Sequence, residues 1–369
     1  MRLKNGTNGV KIPDMETNRL TIPLIQAARG IAVVLVMLFH TSQMAYKYFG
    51  INFLGISGMD RSGGYSYFFV LTGFLMFTLY RRHFGNPKVW GSFILKRFVR
   101  IYPLYWLVNL AVIPIYFLVP SFGLGFETKP AEIVQSLLLW PESHVPILGV
   151  AWSLIFIVFF YLVFSLFFLL QTRAAAGLLS VWILLICCSG LGWISPHRNA
   201  LLSFLLDGQH LEFILGMAIA YAVRFVPQRA AGLLLAAGMV LFPVIWVIRA
   251  LDPAFAYPNV MYTIGSSLVL LGIGVLRMEA PVWLRPAQFL GDASYSILLT
   301  SLGCLSITLK LVKTMHLSGL LGPYVSTALC FLCSLALCCF FYERVEKPLV
   351  QRLKSWLLPQ ARPAASVKV

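Results

Sequence analysis

Charged residues are scarce in this chain. Only 11% of its 369 residues are Asp, Glu, Lys or Arg, whereas 59% are apolar and the mean hydropathy is +0.82. A soluble globular domain carries charge on about a quarter of its residues. The composition therefore excludes a water-soluble enzyme and indicates a membrane-embedded chain, whose length allows roughly ten helical crossings of about 20 residues each.

Acidic residues are the scarcer charge. The chain has 13 Asp and Glu against 29 Lys and Arg, which gives a net charge of +16. The basic residues lie between apolar runs, where they are typical of cytoplasmic connections. No nucleic-acid partner is therefore expected, and the charge suits membrane lipids or an anionic ligand that arrives from the cytosol.

Histidine and cysteine are also few, with six and seven residues. Every cysteine lies in an apolar run, and Cys330 and Cys333 have CxxC spacing without a second pair or a neighbouring histidine. Cysteines in this setting are more typical of membrane packing than of redox or metal chemistry. We expect neither a metal site nor a disulfide framework.

Ten long apolar runs, bounded by charges, Pro or Gly, predict membrane helices, because lipid offers no partner for unpaired backbone groups. The runs cover about residues 22–44, 64–80, 103–120, 147–170, 175–194, 202–223, 231–250, 257–276, 290–312 and 319–342. The predicted fold is an all-α polytopic membrane protein of about ten transmembrane helices.

Basic residues also predict the orientation. If the chain starts inside, 21 Lys and Arg fall on the cytoplasmic side and 7 on the other, with Arg29 at the inner edge of the first span. Both termini are therefore predicted to be cytoplasmic. No cleavable signal peptide is visible, because the first twenty residues are polar.

The predicted organisation has three parts. Residues 1–21 form a cytosolic tail, residues 22–342 the transmembrane domain, and residues 343–369 a basic cytosolic tail. Two longer stretches on the outside, 121–146 and 195–210, are placed to shape an extracytoplasmic mouth.

Arg29 and His40 are titratable residues inside the first span, where such residues are costly and mark functional sites. They are eleven residues apart, so that both lie on one helical face with about 16 Å of rise between them. This places a cation near the cytosol and an imidazole near the middle of the membrane. The alternative is that Arg29 reaches headgroups and His40 bonds another helix.

Arg97 and Arg100 form a second basic feature, before Pro103, which is predicted to mark the start of the third span. At i and i+3 the two side chains project from one helical face, and paired guanidiniums suit phosphate. Simple topological anchors on the cytoplasmic side would show the same pattern.

Together with several polar and small-residue stretches, these features resemble the acyltransferase 3 family of integral-membrane acyltransferases, most closely its bacterial exopolysaccharide O-acetyltransferase branch. The resemblance follows the order of the family's motifs over nearly the whole chain. The matching stretches are Arg29-Gly30 to His40, Gly64 to Gly73-Phe74, Arg97 and Arg100 to Pro103, Trp152-Ser153-Leu154, Glu212-Phe213 with Gly216, Ser294-Tyr295-Ser296, and Glu346-Lys347-Pro348.

The resemblance implies a bacterial inner-membrane enzyme that moves an acyl group, usually acetyl from acetyl-CoA, to a hydroxyl of a cell-surface or polyprenol-linked glycan. Acetyl-CoA is then a substrate, and no permanently bound cofactor is expected. His40 corresponds to the catalytic histidine, with Arg29 in the same charged site. Arg97 and Arg100 correspond to the pair that receives the coenzyme.

The expected substrate-binding residues are Trp152, Tyr161 and Glu212. The chain departs from the family at three positions. Ser66 and Ile157 stand where many members have an acidic residue, and Ser301 stands where many have a histidine.

The sequence is also compatible with two other functions. In a transporter of lipid-linked sugars or small molecules, His40 and Arg29 would line a pathway. The cytosolic pair Arg97 and Arg100 speaks against it, because a translocator of a neutral sugar needs no phosphate site. The departures at Ser66, Ile157 and Ser301 would also suit a catalytically inert relative that acts in polysaccharide assembly.

Overall fold

The computed structural model describes residues 15–59, 62–141, 144–195, 199–252, 254–255, 257–276 and 278–357. Within these ranges the secondary structure is helical and contains no strand, and nine helices are long and apolar enough to cross a membrane. A tenth apolar helix, Gly64–Tyr80, is slightly shorter at 17 residues. The predicted all-α polytopic fold is confirmed.

The described residues form fifteen α-helices, numbered in chain order. They are α1 (Met15–Phe49), α2 (Gly64–Tyr80), α3 (Trp90–Leu118), α4 (Pro130–Leu138), α5 (Trp152–Leu169), α6 (Thr172–Gly190), α7 (Ala200–Leu205), α8 (His210–Ala222), α9 (Ala231–Leu251), α10 (Pro258–Val275), α11 (Arg285–Asp292), α12 (Ser294–Thr314), α13 (Leu317–Leu321), α14 (Pro323–Phe341) and α15 (Lys347–Leu357). A π-helical turn, Tyr342–Glu346, joins the last two.

The third span differs from its prediction. Helix α3 begins at Trp90, and Pro103 lies inside it instead of marking its start. A proline within a membrane helix is tolerated because neighbouring helices provide partners for the backbone groups that it frees. Arg97 and Arg100 are therefore part of a continuous helix, which holds both guanidiniums against the bundle.

Helix α1 runs through the bundle and packs against α2, α11 and α12. Helices α2 and α8 pack closely because each has a glycine at the crossing. A Cβ atom at Gly73 would collide with the carbonyl of Phe213, and one at Gly216 with the carbonyl of Val70. Small residues that let helix backbones approach are a main source of helix association in lipid.

Helix α4 returns into the bundle after α3 has ended. The carbonyls of its last turn accept hydrogen bonds from the middle of α3: Tyr105 Oη donates to Ser136 at 2.8 Å, Trp106 Nε1 to Leu137 at 2.9 Å and Tyr102 Oη to Leu138 at 3.0 Å. The stretch 121–146, predicted as an outside segment, therefore contains a short re-entrant helix. Nine residues are too few to be recognised as a span.

The connection before α4 is held by a buried carboxylate. Glu127 accepts hydrogen bonds from the backbone N–H groups of Leu124 at 2.7 Å and Gly125 at 2.8 Å. Burial by itself would raise the pKa of Glu127, but these backbone donors outweigh it and lower the pKa below its usual range. The carboxylate thus orders the turn between α3 and α4.

Candidate active site

A cavity of about 410 Å³ runs between α1, α2, α3, α5 and α12. One end, which we call the arginine end, is lined by Arg29, Arg97, Arg100, Tyr161 and Ser294. The other, the histidine end, is lined by His40, Gln43, Ser62, Tyr65 and Trp152. Between them the wall is mainly apolar, so the cavity joins a cationic site to an imidazole through an apolar passage.

Arg97 is enclosed by aromatic rings. Its guanidinium carbon lies 5.6 Å from the ring centre of Tyr80, 5.4 Å from that of Phe93 and 5.3 Å from that of Tyr161, and Nη2 donates to Tyr80 Oη at 3.2 Å. No carboxylate within the described ranges pairs with Arg97. Its charge is stabilised by ring faces, which leaves N–H groups for an anionic ligand.

Arg100 has a carboxylate partner. Its Nη1 donates to Glu346 Oε1 at 2.8 Å, and Glu346 is only 1% exposed. The other carboxylate oxygen accepts from Ser296 Oγ at 2.6 Å and from the Ser296 backbone N–H at 3.1 Å. The ring of Tyr295 lies 5.6 Å from the Arg100 guanidinium carbon. The start of α12 and the end of the π turn thus orient this side chain.

Arg29 is held by neutral groups. Its Nη1 donates to Gln26 Oε1 and its Nη2 to Ser294 Oγ, both at 2.8 Å. Gln26 in turn donates to Asp292 Oδ1 at 2.9 Å. Because Ser294 and Ser296 belong to one turn of α12, the same short segment positions Arg29 and the carboxylate that holds Arg100.

His40 lies at the level where α2 begins. Gly64, the first residue of α2, packs so closely on α1 that a Cβ atom there would meet the carbonyl of Ala32 and the side chain of Val36. His40 is one helical turn beyond Val36. Arg29, which lines the arginine end, lies eleven residues before His40 on α1, so that about 16 Å of helical rise separates these two residues at opposite ends of the cavity.

The neighbours of His40 also contact the connection between α1 and α2. Phe39 packs on Ile56 and Met59, and Ser42 Oγ donates to the carbonyl of Phe53. Helix α1 extends to Phe49, and the connection that follows it folds back over its last turns beside His40.

Aromatic residues form one wall of the histidine end. The ring of Trp152 lies 5.3 Å from that of Tyr65 and 6.1 Å from that of Phe69, in edge-to-face geometry. Tyr65 Oη donates to Asn259 Oδ1 at 3.0 Å. Trp152 and Tyr161, both predicted to bind substrate, line the cavity at opposite ends: Trp152 near His40 and Tyr161 against Arg97.

Glu212 takes a different position from the other predicted site residues. It is buried between α2, α8 and α10, where Oε1 accepts from Ser66 Oγ at 3.2 Å and from Thr263 Oγ1 at 2.9 Å. Tyr65, the neighbour of Ser66, is the nearest cavity-lining residue in the chain. Glu212 thus supports the helix that carries the histidine end, and its carboxylate bonds the helix-packing hydroxyls of Ser66 and Thr263.

Comparison with known proteins agrees with this geometry. The acyltransferase domain family matches residues 22–343, which covers the whole cavity. The chain belongs to this acyltransferase family. It is 30% identical over 329 residues to the exopolysaccharide production protein ExoZ of Rhizobium meliloti strain 1021, a match that covers 86% of this chain and 95% of the relative. No solved structure matches the chain.

Membership makes the chain a membrane acyltransferase, and the resemblance inferred from its motifs is confirmed. The three departures from the family occupy different places. Ile157 lines the apolar passage, Ser66 bonds Glu212, and Ser301 is buried within α12. In the part of the chain that the structure describes, no group of three or more His, Cys, Asp and Glu residues could hold a metal ion.

The contacts of three residues at this acyltransferase site were not predicted from the sequence. Gln43 lies one turn beyond His40, and its i+3 spacing was a usable signal. Tyr80, which bonds Arg97, and Glu346, which pairs with Arg100, are 17 and 246 residues away from their partners. No pattern in one sequence reveals contacts at such separations.

Proposed function

We propose that the chain transfers an acetyl group from acetyl-CoA to a hydroxyl of a cell-surface or lipid-linked glycan at the bacterial inner membrane. The observation that carries the proposal is that one continuous cavity has arginines at one end and His40 at the other. Coenzyme A is a phosphate-rich anion with a long flexible arm that ends in the thioester. Its phosphates suit the arginine end, and its arm suits the apolar passage.

The two substrates enter the cavity from opposite ends. The arginine end is cytosolic by the distribution of basic residues, and acetyl-CoA arrives from there. The glycan hydroxyl meets the acetyl group at the histidine end, beside Trp152 and Tyr65. The apolar passage between the ends separates the charged coenzyme head from the acceptor.

His40 serves as the general base in this scheme. Its imidazole accepts the proton of the glycan hydroxyl while the hydroxyl oxygen attacks the thioester carbonyl. The carbon–sulfur bond then breaks, the coenzyme leaves as a thiolate, and the proton passes to that sulfur. The products are an acetyl ester and free coenzyme A.

Mass spectrometry of surface glycan tests the proposal. Cells carrying His40→Ala should lose O-acetylation, because loss of a positioned base costs a factor of about 10² to 10⁴ in rate. Acetyl-CoA binding should persist, since Arg29 at the arginine end is about 16 Å from His40 along α1. Equal acetylation in wild-type cells, His40→Ala cells and cells lacking the gene would contradict the proposal.

A transfer assay with the purified chain separates the proposal from an inert relative. None of the departures Ser66, Ile157 and Ser301 lies at the histidine end, where His40 has the polar neighbour Gln43. An inert scaffold predicts no acetyl transfer by the purified chain, whereas an enzyme transfers radiolabelled acetyl from acetyl-CoA to isolated glycan.

A further inference from the structure

The helix that follows Glu346, α15, has a basic surface and lies at the arginine end of the cavity. Residues Pro323–Leu357 form one run of 35 helical residues, through α14, the π turn and α15. Such a run is about 52 Å long, whereas the hydrocarbon core is roughly 30 Å thick. Since about 20 residues cross the core, about 15 remain outside it. These include the whole of α15.

Helix α15 has two different faces. Leu349 and the buried Val350 lie on its inner side, where α15 packs against α3. Arg352 and Lys354 are exposed on opposite flanks of the helix, and Trp356, one turn beyond Arg352, is 81% exposed. Helix α15 contains no acidic residue. A short helix with exposed cations and an exposed indole suits the headgroup layer of an anionic membrane.

A direct connection links this surface to the cavity. Glu346 is the last residue of the π turn, and Lys347 is the first of α15. The Glu346 carboxylate holds Arg100 at 2.8 Å and Ser296 at 2.6 Å. A shift of α15 therefore moves the group that orients Arg100.

We propose that α15 binds anionic phospholipid headgroups through Arg352, Lys354 and Trp356, and that this contact keeps Glu346 in place and so orients Arg100 for the coenzyme phosphates. The second step rests on the proposed function. The first step does not.

The sign of the lipid effect makes the proposal testable. An anionic membrane repels acetyl-CoA, so electrostatics alone weakens donor binding. Docking of α15 acts in the opposite direction, because a pre-oriented Arg100 loses less freedom when the phosphates bind. In the native chain, anionic lipid should therefore tighten acetyl-CoA binding.

The experiment uses the full chain in nanodiscs of phosphatidylcholine, with or without phosphatidylglycerol. Calorimetry with acetyl-CoA should show a Kd about threefold or more lower with phosphatidylglycerol. Brominated phosphatidylglycerol should quench Trp356, measured as the difference between the native chain and Trp356→Phe. Brominated phosphatidylcholine should quench it much less.

Charge-removing variants locate the effect. The pair Arg352→Gln and Lys354→Gln should lose the selective quenching, and phosphatidylglycerol should then weaken acetyl-CoA binding. The matched control changes Arg173→Gln and Arg229→Gln, two exposed basic residues in other connections. It should behave like the native chain.

Three results would overturn the proposal. Equal quenching of Trp356 by both lipids would show that α15 does not select anionic headgroups. Weaker acetyl-CoA binding in anionic nanodiscs of the native chain would break the link to Arg100. The third result is that the variant with Arg352→Gln and Lys354→Gln loses acetyl-CoA affinity to the same extent with and without phosphatidylglycerol. That result would show that α15 binds the coenzyme itself and not the lipid. If acetyl-CoA binds in neither lipid, the proposed function fails, and the quenching still decides lipid binding.

Discussion

Individual arginines at one end of the cavity have different partners, so their contributions to donor binding should differ. Arg97 is surrounded by ring faces, Arg100 is paired with a buried carboxylate, and Arg29 bonds an amide and a hydroxyl. A guanidinium that already has a carboxylate partner gains less from a phosphate than one that has none. Arg97 is therefore the residue on which anion binding depends most.

Replacement of Arg97 tests this ranking. Arg97→Ala should weaken acetyl-CoA binding by about ten- to a hundredfold, since a charge-assisted hydrogen bond contributes roughly 1.5–3 kcal/mol. Arg97→Lys should fall between, because lysine keeps the charge but loses the planar fork that stacks on the rings. Calorimetry on the detergent-solubilised chain gives the affinities, with Arg82→Ala as a control. Unchanged affinity in Arg97→Ala would return this residue to the role of a topological anchor.

Replacement of Arg100 should affect stability as well as binding. Arg100→Met leaves the buried Glu346 carboxylate without its cation, and breaking a fully buried pair costs about 3–5 kcal/mol. The cost here should be smaller, because the Arg100 side chain is 34% exposed. Adding Glu346→Gln should restore most of the Tm but not acetyl-CoA affinity. If both recover together, Arg100 has only a structural role.

Sequence could identify the charged residues of the site but not their partners. Arg29 and His40 were predictable because charge and imidazole are rare inside apolar runs, and Arg97 and Arg100 because of their i and i+3 spacing. All four line the cavity. Glu212 was expected to bind substrate through the family resemblance, yet it bonds helix-packing hydroxyls of Ser66 and Thr263. Rarity shows that a polar residue matters and leaves open which surface it faces.

At the scale of helices, hydropathy located the membrane spans. It did not locate helical segments whose position depends on basic residues or on contacts with another helix. The predicted runs 64–80 and 231–250 agree closely with α2 and α9. The predicted start of α3 was wrong, because the first turns of this helix are basic and Pro103 lies in its interior. The re-entrant α4 was missed because it depends on three side-chain donors from another helix, which no local pattern contains.

The turn before α4 predicts a pH dependence. The folded-state pKa of Glu127 is lowered, so its contribution to stability is present above the ordinary carboxyl range and is lost as pH falls through the lowered value. Glu127→Gln should therefore reduce the Tm at neutral pH and make the Tm less sensitive to acid. Thermal unfolding of both chains between neutral and acidic pH measures this. Parallel Tm curves for the two chains would contradict it.

For the molecule as a whole, the direction of transfer depends on which face the arginine end occupies. Labelling of single cysteines in a chain without its native cysteines tests the orientation. Lys88→Cys should react with a membrane-impermeant reagent only after the membrane is opened, and Leu124→Cys, at a side chain 84% exposed, in intact cells. Reaction of both sites from the same side would contradict the predicted topology and the two-sided scheme.

The re-entrant helix α4 also has a consequence for biosynthesis. During insertion, the carbonyls of Leu137 and Leu138 find no partner in lipid until Trp106 and Tyr102 are already embedded, whereas the Ser136 carbonyl also accepts from the Leu139 backbone N–H at 3.0 Å. The ribosome releases α3 first, so the donors wait in the bilayer for the acceptors. Helix α4 therefore enters by docking onto an inserted neighbour.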